Sequence, residues 1–359
     1  MPMPLLKIRH LQKHTGERYL LESVNLDIEA GELLSLLGPS GSGKTFVLRS
    51  IVGFEKPDAG AIFIGEDEVT HWKPSERRVG AVFQKDALWP HMTILQSVQL
   101  GLQPSNGLHR DTQDRAMAAL QAVGMAEFAR KKPRELSSGH QQRASIARAI
   151  VSGARCLLLD EPFAHLDAAQ RIELRALMRK LCRERGLAVL FITQDQHEGM
   201  GMADRAAVLI DGCIQQVGTP AEVYRRPASL RVAGFLGENN FLPGKLLFEG
   251  ASEGLVETAL GTFKGHVGTA LGLGEGDAVM LAIRPECWHL DLYPAEENSV
   301  TGTIEDVAFF GEFARYAVRV GEHVLKVSEA NPRYLTGSNG NALQVWVVPE
   351  DVVILPRYE

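Results

Sequence analysis

No stretch of the 359 residues approaches the roughly 18 uninterrupted apolar positions that a membrane-spanning helix needs. The opening MPMPLLKIRH lacks a long apolar core with a small-residue cleavage site, so secretion is not expected. A function at a membrane would therefore use helices supplied by other chains. Cysteine is scarce, and Cys156, Cys182, Cys213 and Cys287 lie far apart with no CxxC pair. That spacing fits neither a zinc site nor a disulfide scaffold, and it suits buried, inert thiols in a reducing cytosol. No repeat of solenoid period and no low-complexity tract is present. Excess positive charge is also missing. The net charge is −6, and residues 240–359 carry 17 acidic against 8 basic side chains, while residues 1–239 carry 27 against 30. An acidic final third repels a phosphate backbone, so nucleic acid is excluded as an expected partner. The step in charge also marks a domain boundary.

What is there is an ordinary globular composition, 45% hydrophobic and 23% charged, at a length that favours two domains. LLSLLG (33–38), CLLLDE (156–161) and AVLFIT (188–193) read as buried strands, each followed by a helical pattern, which predicts a parallel sheet wrapped by helices. Over 167–185, Leu174, Leu177, Met178 and Leu181 share one helical face, and Asp167 three residues before Gln170 predicts a capped start. Segment 218–240 reads as the exit from this first domain. Beyond Asn239 the helical period fades, and RYAVRV (315–320), HVLKV (323–327) and LQVWVV (343–348) alternate as strands of a small antiparallel barrel or sandwich. The expected class is therefore α/β at 1–239, followed by a small all-β domain at 240–359.

Chemistry is concentrated in two places. GPSGSGKT, Gly38-Pro39-Ser40-Gly41-Ser42-Gly43-Lys44-Thr45, follows the strand LLSLL directly and matches GxxxxGK[ST] in its required strand–loop–helix setting. Glycines let successive N–H groups turn inward onto phosphate oxygens, and the following helix adds its positive end. Lys44 is then placed for the β- and γ-phosphates and the Thr45 hydroxyl for Mg²⁺, which makes ATP and Mg²⁺ the expected ligands. In LLLDEP, Asp160 and Glu161 end a buried strand. There Asp160 is expected to hold the Mg²⁺ shell through water and Glu161 to activate the attacking water.

Between these motifs, ELSSGHQQRASIARAI (135–150) resembles the signature region of ABC (ATP-binding-cassette) proteins. The order of the remaining motifs extends the resemblance over nearly the whole chain. Gln84 in AVFQKDALWPHMT resembles the Q-loop, Phe163-Ala164-His165-Leu166-Asp167 the D-loop, and ITQDQHEG the switch region. AIRPE (282–286), TGTIEDVAFFGEFARYAVRV (301–320) and VWVVPEDVVIL (345–355) resemble the TOBE-type barrel of importer ATPases. The resemblance implies a P-loop nucleotide-binding domain with a helical subdomain at about 85–150, and a homodimer sandwiching two ATP molecules. Ser137, Ser138, Gly139 and His140 would face the nucleotide held by the other copy, Asp167 would belong to the D-loop, and Gln84 would be a further ATP and metal contact. It also implies two membrane permease subunits, an indirect link to an extracytoplasmic solute-binding protein, and residence on the cytoplasmic face of the inner membrane. The importer ATPases resembled most closely are of polyamine and iron type. Leu88, Trp89, Pro90, His91 and Met92, just after Gln84, form an apolar cluster suited either to a permease contact or to the subdomain core.

The sequence departs from the family around the nucleotide. Thr15 stands where an aromatic residue stacks on adenine, with His14 or Tyr19 as substitutes. Phe46 replaces a hydroxyl after Thr45, removing one phosphate contact. Ser138 and His140 replace Gly and Gln in the signature, and His165 replaces a small residue. Gln194 stands in place of the switch histidine as a catalytic candidate beside Glu161; it donates a hydrogen bond but takes no proton. With Lys44, Thr45, Gln84, Asp160 and Glu161 intact, an active ATPase is expected. The alternative is an ATP-dependent clamp or switch with weak or no turnover. A soluble ABC protein acting on DNA or the ribosome is disfavoured, because neither a second cassette nor a long coiled coil is present.

Overall fold

The computed structural model describes residues 4–16, 18–83, 88–102, 109–164, 166–250, 253–268, 272–291, 297–332 and 342–357. Gln84 and His165 therefore lie outside the described residues. Chain contacts divide the protein into two units, Met1–Pro220 and Ala221–Glu359.

The first unit is built on a six-stranded sheet. Its strands run in the order Cys213–Gly218, Arg205–Ile210, Leu33–Leu37, Ala188–Thr193, Cys156–Asp160, Val79–Val82, and all neighbours are parallel except the first pair. Its central strands are apolar throughout because both faces are covered. Leu157, Leu159, Val189 and Phe191 face a core shared with helices that include Ser138–Ile150 and Ala168–Arg185. Leu158, Leu190 and Ile192 face the opposite way, into a second core. That second core is closed by an antiparallel sheet ordered Arg18–Ile28, Leu6–Thr15, Ala59–Ile64, Asp67–Glu68. Strand period two thus sends alternate residues to two separate cores.

Two local devices anchor the helices. Asp167 caps Ala168–Arg185, accepting from Gln170 N at 2.8 Å, and Gly186 ends that helix in the left-handed conformation. The buried Arg77 guanidinium donates to the Ser50, Ile51, Thr70 and Trp72 carbonyls, closing the end of the helix Lys44–Val52. Burial pushes the Arg77 pKa below its ordinary value. Of the apolar cluster after Gln84, Leu88 is buried in the helical core while Trp89 stands exposed.

The second unit begins with the exit segment. There the buried Arg284 lies 4.1 Å over the Tyr224 ring and donates to the Tyr224, Ala233 and Glu238 carbonyls. A closed barrel follows, formed by Asn240–Glu249, Glu253–Thr258, Gly261–Val267, Val352–Pro356 and Ala278–Ile283. Beside it lies a five-stranded sheet ordered His289–Asp291, Ala342–Trp346, Ser299–Phe309, Phe313–Val320, His323–Ala330. The barrel–sandwich choice left open by the sequence is resolved as a barrel plus a sheet around one core, with Phe263 edge-on to Trp288. No helix among the described residues is long and apolar enough to cross a membrane.

Candidate active site

Parallel pairing brings the predicted residues to one edge of the sheet. Leu37 is registered with Thr193 and Asp160 with Ile192, so the chain leaves three adjacent strands at one level. Gly38, Glu161 and Gln194 follow those strand ends, at the carboxyl edge where open α/β sheets bind ligands.

The glycine loop has no room for a side chain at Gly38 or Gly43. A Cβ on Gly38 would come within 2.1 Å of the Leu209 carbonyl, and one on Gly43 within 2.5 Å of Leu21 Cδ2. Gly41 and Gly43 adopt φ of 82° and 100°, conformations open to glycine. Pro39, Ser40 and Gly41 are exposed at the loop's outer rim. Lys44 is buried, and its ammonium donates to the Gly38 and Pro39 carbonyls at 2.6 and 2.8 Å. Burial lowers the Lys44 pKa from the ordinary lysine value, opposed by the charges of Glu161 and Asp160. Burial raises the Asp160 pKa, Glu161 adds to the rise, and Arg49 and Lys44 oppose it. The three groups therefore share one electrostatic environment. Among the described residues Ser42 Oγ is buried with no hydrogen-bond partner, an orphaned polar atom inside the loop. A loop crowded against added Cβ atoms, an orphaned hydroxyl, a buried ammonium, the exposed Thr45 and the Asp160 carboxylate form a donor set that fits a polyphosphate with a hard divalent cation.

Glu161 is held from several sides. Its backbone has φ of 49°, unusual for a side chain with a Cβ, and its N–H donates to the Ile192 carbonyl at 2.9 Å. The carboxylate accepts from Gln194 N at 3.1 Å and from the Thr193 hydroxyl at 3.3 Å. Gln194 thus touches Glu161 through its backbone, while the residue as a whole is exposed.

Of the residues weighed for adenine stacking, the His14 and Tyr19 rings lie 4.2 Å apart, paired across the strands Leu6–Thr15 and Arg18–Ile28. Lys13 lies 5.4 Å over the Phe46 ring, so the residue that replaces a hydroxyl packs beneath this hairpin. Ser137–His140 forms a separate feature. Ser137 caps the helix Ser138–Ile150 by accepting from His140 N, and the His140 ring packs 4.6 Å from Phe128. Ser138 Oγ reaches Gln170 Oε1 at 3.4 Å, and a Cβ on Gly139 would meet the same side chain at 3.2 Å. Two neighbours of this site were not singled out in the sequence: Thr193, whose hydroxyl reaches Glu161 and Glu198, and Arg171, which pairs with Glu198. Thr193 and Glu198 lie in the switch-like run ITQDQHEG, whereas nothing local marks Arg171.

A glycine loop, buried lysine and strand-end carboxylates at the edge of a parallel sheet define a nucleotide-hydrolysing cassette, and sequence comparison gives its family. The ABC transporter family model matches residues 21–164 and the TOBE domain model residues 281–355. The chain is 40% identical over 311 residues to the spermidine/putrescine import ATP-binding protein PotA of Marinobacter nauticus, covering 87% of this chain and 83% of that one. It is 34% identical over 356 residues to the protein of the same name from Protochlamydia amoebophila, covering 97% and 95%. A dimeric bacterial ABC transporter cassette superposes with a TM-score of 0.53 at 31% identity, covering 60% of this chain and 98% of that one. A post-hydrolysis state of that cassette, bound to ADP and Pi, matches with the same TM-score, identity and coverage. The chain belongs to the ABC transporter family, as an importer-type ATP-binding subunit with ATPase activity and a C-terminal TOBE domain.

Proposed function

We propose that this chain powers polyamine uptake as the ATPase of an importer, working as a homodimer beneath two membrane permease subunits at the cytoplasmic face of the membrane. In this reading residues 1–239 form the nucleotide-binding part and residues 240–359 the TOBE part. The convergence of Lys44, Asp160 and Glu161 at the mouth of the glycine loop carries the reading, and the likeness to the two spermidine/putrescine import proteins supports the solute class. Backbone N–H groups of the Gly38–Gly43 loop, Pro39 excepted, cradle the ATP phosphates, and Lys44 moves from the loop carbonyls onto the β- and γ-phosphates. Thr45, Gln84 and, through water, Asp160 would hold Mg²⁺, which would supply positive charge against the phosphate oxygens. Glu161 orients the attacking water and takes up its proton. Gln194 donates to the γ-phosphate through its amide. Ser137, Ser138, Gly139 and His140 of a second copy close over the same nucleotide, with Asp167 in the adjoining D-loop.

Two measurements test this. Lys44→Ala should weaken ATP binding by about 2–4 kcal/mol, because a charge-assisted contact to phosphate is lost. Unchanged affinity in that variant would remove the phosphate-loop assignment. Co-expressed with its permease subunits, the chain should support uptake of labelled spermidine or putrescine, and Glu161→Gln should abolish it. Uptake of a different solute class under the same conditions would overturn the polyamine assignment alone.

A further inference from the structure

Thr193 is fully buried, and its hydroxyl lies between two carboxylates, 3.3 Å from Glu161 Oε2 and 3.2 Å from Glu198 Oε2. A hydroxyl carries one proton and donates it to one acceptor at a time. The Asp195 N–H donates to the same oxygen at 3.1 Å, which occupies a lone pair and leaves the proton to point at one of the two acids. The question is which carboxylate takes it.

At nearly equal distances from the two acids, the surroundings of Glu198 set how strongly it competes for that proton. Its other oxygen, Oε1, pairs with Arg171 Nη1 at 3.1 Å, and the Glu198 side chain is only 11% exposed. Arg171 Nε in turn donates to the Leu166 carbonyl at 3.0 Å, so the guanidinium is fastened to the D-loop that precedes its own helix. Glu198 sits on the short helix Gln196–Met202 that follows Gln194. Burial pushes the Glu198 pKa above the ordinary value, with Asp195 adding to the rise and Thr193 and Arg171 opposing it. A partly buried carboxylate paired with arginine is a weaker competitor for a neutral donor than a bare one.

We propose that Arg171 is a positioning residue for ATP hydrolysis: by pairing with Glu198 it weakens that carboxylate's hold on the Thr193 hydroxyl, keeps the hydroxyl available to Glu161, and so couples the position of Glu161 to the D-loop. The proposal rests on Glu161 as the water-activating group. Arg171 ties Glu198 to the Leu166 carbonyl, and the Thr193 hydroxyl stands within hydrogen-bond reach of both Glu198 and Glu161, while Gln194 N holds the other oxygen of Glu161. Without Arg171, Glu198 stands as a bare carboxylate that draws the hydroxyl away and repels Glu161. Removal of the Glu198 charge should then repair the loss, since a glutamine amide at 198 donates to Thr193 and leaves its proton for Glu161.

The test uses the full chain and four variants, Arg171→Gln, Arg171→Lys, the double variant Arg171→Gln/Glu198→Gln, and Glu161→Gln, with kcat and KM for Mg-ATP measured separately. Arg171→Gln should lower kcat about tenfold with KM changed less than about twofold, the pattern of a lost transition-state arrangement. Arg171→Lys should retain part of the rate. The double variant should recover to within about threefold of the parent, a non-additive outcome that a general loss of packing does not produce. A parental kcat in Arg171→Gln, or a double variant no faster than that single variant, would overturn the proposal. Parental turnover in Glu161→Gln would instead remove the base assignment itself. Thermal midpoints of all four variants identify any that fail to fold. If Arg171→Gln does so, Arg171→Lys decides: a parental kcat with lysine at 171 leaves the charge role standing, and a loss of about tenfold with unchanged KM in a folded Arg171→Lys overturns it.

Discussion

Replacement of Gln194 by histidine should speed this enzyme. The residue is exposed, and its held contact with Glu161 is made by the backbone N–H, so a new side chain leaves that 3.1 Å tether in place. A hydrogen bond involving a charged partner contributes roughly 1.5–3 kcal/mol, against roughly 0.5–1.5 kcal/mol for a neutral pair. The widest gap between those ranges is about 2.5 kcal/mol, and screening by exposure at position 194 reduces it to about 0.7–2 kcal/mol of added transition-state stabilisation. The expected gain in kcat is therefore about threefold to thirtyfold. Affinity for ATP should change little, since Lys44 and the glycine loop dominate binding of the ground state. The rival explanation is that His140 of a second copy already supplies an imidazole. In the chain itself that ring is engaged by Ser137 Oγ at 3.1 Å and by Phe128. Steady-state phosphate release at saturating Mg-ATP, measured for Gln194→His and His140→Gln, separates the two. No gain in the first with a loss in the second would refute the assignment of the deficit to Gln194.

Tyr19→Ala should weaken ATP binding about threefold to tenfold, the range of one aromatic stack, while inorganic triphosphate binds as before. Unchanged ATP affinity in a titration would exclude the His14–Tyr19 pair from the adenine site. Phe191→Ala removes a fully buried ring that meets Phe163 edge-on at 6.3 Å, and it should lower stability by about 3–5 kcal/mol in denaturant unfolding. A loss under about 1 kcal/mol would show that the sheet face repacks. The Cys156, Cys182 and Cys287 thiols are pushed up to about 12, chiefly by burial, so the reactive thiolate stays scarce as pH rises from about 7 to 9. An electrophile should label at most one thiol per native chain in that range, and rapid labelling of three would contradict their burial.

Features written into contiguous residues were legible without the fold. The glycine loop, the strands Leu33–Leu37, Cys156–Asp160 and Ala188–Thr193, and the Asp167 cap with its helix Ala168–Arg185 all depend on local geometry: glycine φ, period two, and an N-terminal acceptor three residues from its donor. The assignment of ABC motifs was legible for the same reason, since each motif is a short run. Alternate burial of Leu157 and Leu158 on opposite faces was likewise implied by unbroken apolarity. The tertiary structure alone decided how separated segments meet. The tail barrel closes because the final strand pairs parallel to Gly261–Val267, His266 opposite Val353, a long-range register that no local pattern carries. The pairing of Leu37 with Thr193 and of Asp160 with Ile192 sets which strand ends stand side by side. From that register comes the contact of Thr193 with Glu161, and from the packing of two helices the contact of Arg171 with Glu198. A run of sequence specifies the conformation of its own backbone; which partner a carboxylate finds is set by sheet register and helix packing, where distant segments settle together.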